Sequence, residues 1–83
     1  MTPQDAREAL RTALRNVAPE CDLEAVGPDE TLREAFDLDS IDFLNLVIGL
    51  QEHTGVEIPE HDYEKLSTID GCVAYLATAA PSA

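Results

Sequence analysis

Apolar residues recur at helical spacing in two long stretches, and the intervals around them set the layout of the chain. Ala6, Leu10, Ala13, Leu14 and Val17 fall on one stripe, which predicts an amphipathic helix over about 3–17. Thr2 and Asp5 have the spacing of a capping pair, and Pro3 suits the first helical position. The second stretch, about 40–53, is patterned differently. Ile41, Phe43, Leu44, Leu46, Val47, Ile48 and Leu50 cover more than half of its circumference and leave Asp42, Asn45, Gly49, Glu52 and His53 on one narrow polar arc. So wide an apolar face suits a helix wedged among others, with some apolar surface left over for a partner. Gly49 in its interior costs roughly 1 kcal/mol relative to alanine. Gly55 is placed to end it.

Between these stretches lies a long connection, 18–39, with Pro19, Gly27 and Pro28 as breakers. A structureless loop of that length is uncommon in a small domain, so Leu23, Val26, Leu32 and Phe36 are expected to anchor it to the core. Thr31 and Glu34 have capping-box spacing and predict a short helical turn over about 31–36. After the second helix, Val56-Glu57-Ile58 reads as an extended link and Pro59 opens a brief helix over about 59–65. Ser67 and Asp70 are read as the cap of a last helix, 68–78, whose stripe is Ile69, Cys72, Val73 and Leu76. Residues 79–83 are expected to fray. The predicted architecture is all-α: one domain, 1–83, built as a small bundle of three main helices plus one short helix, with a long first loop.

Charge narrows the choice of partners. Seventeen acidic residues oppose five basic ones in a chain of 83, a net charge of −12. That balance disfavours nucleic acid and anionic membrane surfaces and favours proteins with basic patches. The N-terminal Met1-Thr2-Pro3-Gln4-Asp5 lacks a signal pattern and no stretch approaches transmembrane length, so a cytoplasmic protein is expected. Cys21 and Cys72 are too few and too distant for a secreted disulfide framework. Cys72 lies on the last helical stripe and reads as a core residue, whereas Cys21 reads as a loop residue. Neither stands at zinc-like spacing from His53 or His61, so no metal site is assigned. Arg7, Arg11 and Arg15 recur every four residues; they form either a solvated face or a ridge that pairs with acidic side chains elsewhere.

The candidate chemistry sits at Phe36-Asp37-Leu38-Asp39-Ser40-Ile41-Asp42-Phe43-Leu44. Asp39 can cap the helix that follows, and Asp42 places negative charge where the helix dipole favours it. Ser40 then falls in the first turn, where unpaired N–H groups favour a bound phosphate. An ordinary helix start has the same local appearance. Ser40 as a hydrolytic nucleophile would need a base within hydrogen-bond reach, and His53 lies roughly 20 Å along the same helix. His61 could approach only through tertiary structure. A calcium loop beginning at Asp37 fails, because Ile41, Asp42 and Ile48 occupy positions that need an oxygen ligand, a glycine and a glutamate.

From Phe36 to Leu76 the chain resembles an acyl carrier protein without needing a gap. The family signature Asp-Ser-Leu at the start of the second helix stands here as Asp39-Ser40-Ile41. Leu46-Val47-Ile48, Gly55-Val56-Glu57-Ile58-Pro59 and Glu64-Lys65-Leu66-Ser67-Thr68 sit where similar family segments lie, while the first helix matches in pattern alone. The resemblance implies a non-catalytic, monomeric carrier. A separate transferase would esterify Ser40 with 4′-phosphopantetheine from coenzyme A, and the arm's thiol would carry an acyl group as a thioester. It also implies that acyl ligase, synthase or transferase enzymes with basic patches dock on the outward face of the second helix, at Ile41, Asn45, Ile48 and Glu52. Asn45 and nearby Gln51 stand where glutamates are common in the family, which points to a dedicated fatty-acid, polyketide or related pathway. An aminoacyl or peptidyl carrier and an unmodified acidic interaction module are the alternatives. The family usually has a small residue near the serine and a large aromatic at the far end of the core-facing line. Here Phe43 stands at the mouth of the expected acyl pocket and Thr54 at the far end. The same exchange could also be a change of core volume without consequence for cargo.

Overall fold

In a computed structural model, residues 2–20, 22–27 and 30–78 are described. They form helices joined by short links: α1 (Pro3–Val17), a 3-10 turn (Leu23–Ala25), α2 (Leu32–Ala35), α3 (Ser40–Thr54), a 3-10 helix (Glu60–Leu66) and α4 (Ile69–Thr78). Cys21, Pro28 and residues 79–83, each given a part in the sequence reading, lie outside the described residues.

α1 begins as its sequence predicts. Pro3 occupies its first turn, and Thr2 Oγ1 accepts from the Asp5 N–H at 3.1 Å. Its stripe of Ala6, Leu10, Ala13 and Leu14 is buried against α3 and α4. There it meets Leu46, Val47 and Leu50 of α3 and Ile69, Cys72 and Leu76 of α4, all almost fully excluded from solvent. Each leucine buried in this way contributes about 1.5–3 kcal/mol relative to exposure. Burial also pushes the Cys72 thiol up to about 12, so it acts as a small apolar side chain rather than a nucleophile.

Gly49 does not lie on the polar arc. A β-carbon there would come within 3.3 Å of Ala13 Cβ, so this glycine marks the point where α3 approaches α1. A hydrophobicity pattern treats glycine as neutral and cannot register that role. The helix ends at Gly55, whose left-handed φ of 72° lets its N–H reach the Gln51 carbonyl.

The first loop is tied down by polar bonds as well as apolar anchors. Leu23 and Leu32 are buried, and Val26 and Phe36 pack against the core. Glu24 receives Arg7 at 3.3 Å and Arg11 at 2.7 Å, which decides the open question of the basic ridge for those two residues. The turn at α2 is opened by Thr31, whose Oγ1 accepts from the Glu34 N–H. The Leu32 N–H donates to the Ser67 carbonyl at 2.8 Å, beside a bridge between Thr31 and Thr68. Loop and α4 junction are thereby held together.

Two other expectations shift by a residue or in kind. The brief helix after Pro59 is 3-10, and Pro59 stands just outside it in an extended conformation. The start of α4 is capped by Thr68, whose Oγ1 accepts from the Gly71 N–H at 3.0 Å, and not by the Ser67–Asp70 pair. The Ser67 main chain instead closes the 3-10 helix on the Glu64 carbonyl and receives the Leu32 N–H. Among the described residues no helix is long and apolar enough to cross a membrane.

Candidate functional site

The end of α2 and the start of α3 meet in a turn built by main-chain geometry. The Phe36 N–H closes α2 on the Leu32 carbonyl, and the Leu38 N–H reaches back to the Arg33 carbonyl at 2.9 Å. Between them Asp37 adopts a left-handed φ of 53°. This is a Schellman-type ending with an aspartate where glycine is commonest. Leu38, the next residue, is buried and pins the turn to the core. The chain can then enter α3 at once through Asp39.

Asp39 caps α3 as expected. Its Oδ1 accepts from the Asp42 N–H at 2.8 Å, and Asp42 Oδ2 accepts from the Asp39 N–H at 3.4 Å, a reciprocal capping box. Ser40 follows as the first helical residue, with its side chain exposed. The main-chain N–H groups of Ser40 and Ile41 have no partner among the described residues, so two donors and the positive end of the dipole face outward at this hydroxyl. The one side chain bonded to Ser40 there is Arg33, whose guanidinium donates to Oγ at 3.4 Å. Neither histidine is hydrogen-bonded to Ser40, and His61 lies in the 3-10 helix beside Asp62. Among the described residues, the hydroxyl is exposed and is bonded to no histidine or carboxylate side chain.

Beside Ser40 opens a cleft of about 750 Å³, bounded by Arg33, Asp37, Phe43, Leu44, Tyr63 and Glu64 among others. Phe43 is half-buried and meets Tyr63 edge to face, ring centroids 6.2 Å apart at 73°. Thr54, at the far end of the same line, is occupied in closing the helix: its hydroxyl donates to the Leu50 carbonyl at 2.6 Å and accepts from the Val56 N–H.

On the outward face of α3, Ile41, Asn45, Ile48 and Glu52 are all exposed, Ile41 by 69 % and Ile48 by 40 %. Leu44, 44 % exposed, belongs with them and was not among the sequence-derived candidates. Its spacing from Ile41 and Ile48 carried the signal. Gln51 points elsewhere: its Oε1 accepts from the Ile58 N–H at 2.8 Å and straps the extended link to α3. Arg33 and Tyr63 reach the site only through tertiary structure.

An exposed hydroxyl with two outward N–H groups on one side and a guanidinium on the other suits an ester of a phosphate monoanion. Comparison with known families agrees: residues 8–76 match the family described as the phosphopantetheine attachment site. Among curated relatives, the acyl carrier protein of Lactobacillus johnsonii is 40 % identical over 66 % of this chain and 69 % of its own length. The chain belongs to the acyl carrier protein family. Relatives of the same description include those of Rubrobacter xylanophilus, 37 % identical over 61 % of this chain and 63 % of its own length, and Streptomyces coelicolor, 29 % identical over 87 % and 78 %. As a member, the chain is a non-catalytic carrier whose cofactor is 4′-phosphopantetheine.

Proposed function

We propose that Ser40 is the attachment hydroxyl, and that the chain carries acyl groups as thioesters for a dedicated fatty-acid, polyketide or related pathway in the cytoplasm. The observation that carries this reading is the exposed Ser40 side chain in the first turn of α3, behind the Asp39–Asp42 capping box. The arm supplies a flexible thiol on which an acyl group travels, and tethering raises its local concentration at successive enzymes. Ser40 attacks the phosphorus of coenzyme A that bears the pantetheine, releases 3′,5′-ADP and gives up its proton. With no base bonded to it among the described residues, that proton goes to a group on the transferase. Asp39 holds the turn, and Ile41, Asn45, Ile48 and Glu52, with Leu44, form the face that ligase, synthase or transferase partners read.

The test is modification itself. Incubation with coenzyme A and a broad-specificity phosphopantetheinyl transferase adds one phosphopantetheine by intact mass, and Ser40→Ala abolishes the gain. A full gain in Ser40→Ala, or none in the wild type where a control carrier is modified, removes the reading in favour of an unmodified interaction module. An aminoacyl or peptidyl cargo is the second reading, favoured by Glu34, Asp37 and Glu64 along the cleft, where an amine would find carboxylates.

A further inference from the structure

Resting on Ser40 as the attachment point, we propose that Arg33 is the ion-pair partner of the phosphodiester formed there, and so sets the direction in which the arm leaves the protein. In a chain with a net charge of −12, a further anion at the mouth of α3 meets Asp37, Asp39 and Asp42. Cations are few, and most are committed. Arg7 and Arg11 hold Glu24, and Lys65 holds Asp62 at 3.2 Å. Arg33 pairs with no carboxylate among the described residues, although Glu34 follows it directly and Asp37 is four residues on.

Its guanidinium is nevertheless aimed. Nε donates to the Leu38 carbonyl at 3.4 Å, while the Arg33 carbonyl accepts from the Leu38 N–H, so side chain and main chain grip the same residue. That grip directs a terminal nitrogen at Ser40 Oγ, 3.4 Å away, a long bond for a neutral hydroxyl. Esterification removes the hydroxyl proton and places charged oxygens beyond Oγ, toward the guanidinium. The weak contact then becomes a charge-assisted one, for which the planar arginine fork is suited. The Ser40 and Ile41 N–H groups face the phosphate from the helix side. Arginine on one side and amides on the other fix the first bond of an otherwise free chain, beside the Phe43–Tyr63 cleft.

The experiment uses holo-protein whose single mass gain has first been verified. Phosphorus NMR follows the phosphodiester, and proton–nitrogen spectra follow Arg33 Nε. Attachment should shift the Arg33 Nε–H resonance, and Arg33→Gln should move the phosphorus resonance and remove its dependence on salt. Arg33→Lys, which keeps the charge but not the fork, should retain most of that salt dependence. Modification should also lower Tm by about 1–3 °C more in Arg33→Gln than in the wild type. Unchanged Ser40 and Ile41 amide resonances in apo Arg33→Gln show that the turn itself persists. An Arg33 resonance that ignores attachment, with a phosphorus resonance that ignores Arg33→Gln, overturns the proposal and leaves Ser40 as the attachment site. Absence of the mass gain in the wild type overturns both.

Discussion

Gly71 lies so close to the Lys65 carbonyl that a β-carbon in its place would stand 2.5 Å from the oxygen. The contact joins the third residue of α4 to the end of the 3-10 helix, and it is backbone against backbone. No rotamer change can relieve it. Alanine inside a helix would ordinarily gain about 1 kcal/mol over glycine, whereas forced overpacking costs about 1–3 kcal/mol. Gly71→Ala is therefore expected to lower Tm by several degrees in a calorimetric scan. A rise would show that this junction has slack.

The same two elements are joined by the Tyr75 hydroxyl, which donates to Asp62 Oδ2 at 2.8 Å. That bond, aided by Lys65 and His61, holds the Asp62 carboxyl below its ordinary value. A depressed carboxylate contributes stability above its unfolded pKa and loses it as pH falls through the lower folded value. The wild type should thus exceed Tyr75→Phe in urea midpoint at pH 7, and the gap should close toward pH 3. A gap independent of pH would assign the effect to packing alone. The raised Tyr75 phenol acts at the other extreme, losing its contribution only as pH climbs through its elevated value.

The proposed docking face on α3 predicts how two polar substitutions act. Glu52→Lys should lower transferase or ligase kcat/KM by about tenfold or less, most at low salt, as for a rim charge. Asn45→Glu should improve recognition by general fatty-acid-synthesis enzymes. Both side chains are exposed, so circular dichroism should stay native. Unchanged kinetics in both variants would place the partner surface elsewhere.

Phe43 predicts a preference in cargo. If its ring, set against Tyr63, blocks passage from the cleft to the interior, medium acyl chains stay exposed and short or polar acyl or aminoacyl groups are favoured. Octanoyl and acetyl forms should be hydrolysed at similar rates by a non-specific thioesterase, and Phe43→Ala should protect the octanoyl form selectively. Strong shielding of octanoyl in the wild type would show that the ring is no gate. Because Phe43 is half-buried, Phe43→Ala should cost stability, about 3 kcal/mol at most, and Phe43→Leu serves as the folded control.

The sequence by itself determined α1, α3 and α4, most of the buried stripes of α1 and α4 (Val17 and Val73 are only partly buried), the Asp39 cap and the position of Ser40. Those features are written in short-range periodicity and capping spacing, which each segment carries alone. Only the tertiary structure decided what Gly49, Gly71, Gln51, Thr68 and Arg33 do. Gly49 and Gly71 matter through what each one meets, the β-carbon of Ala13 and the carbonyl of Lys65, and a glycine leaves no trace of that in a hydrophobic pattern. Gln51 was read beside the docking face and Ser67 as the cap of α4, and a bond from the link to Gln51 and the Thr68 cap replaced those readings. Arg33 could not be placed beside Ser40 without knowing that Asp37 turns left-handed, a conformation that aspartate permits but does not announce. The mouth of α3 was legible because a helix start is local. Its guanidinium was not, because one backbone angle at Asp37 carries the chain round to it.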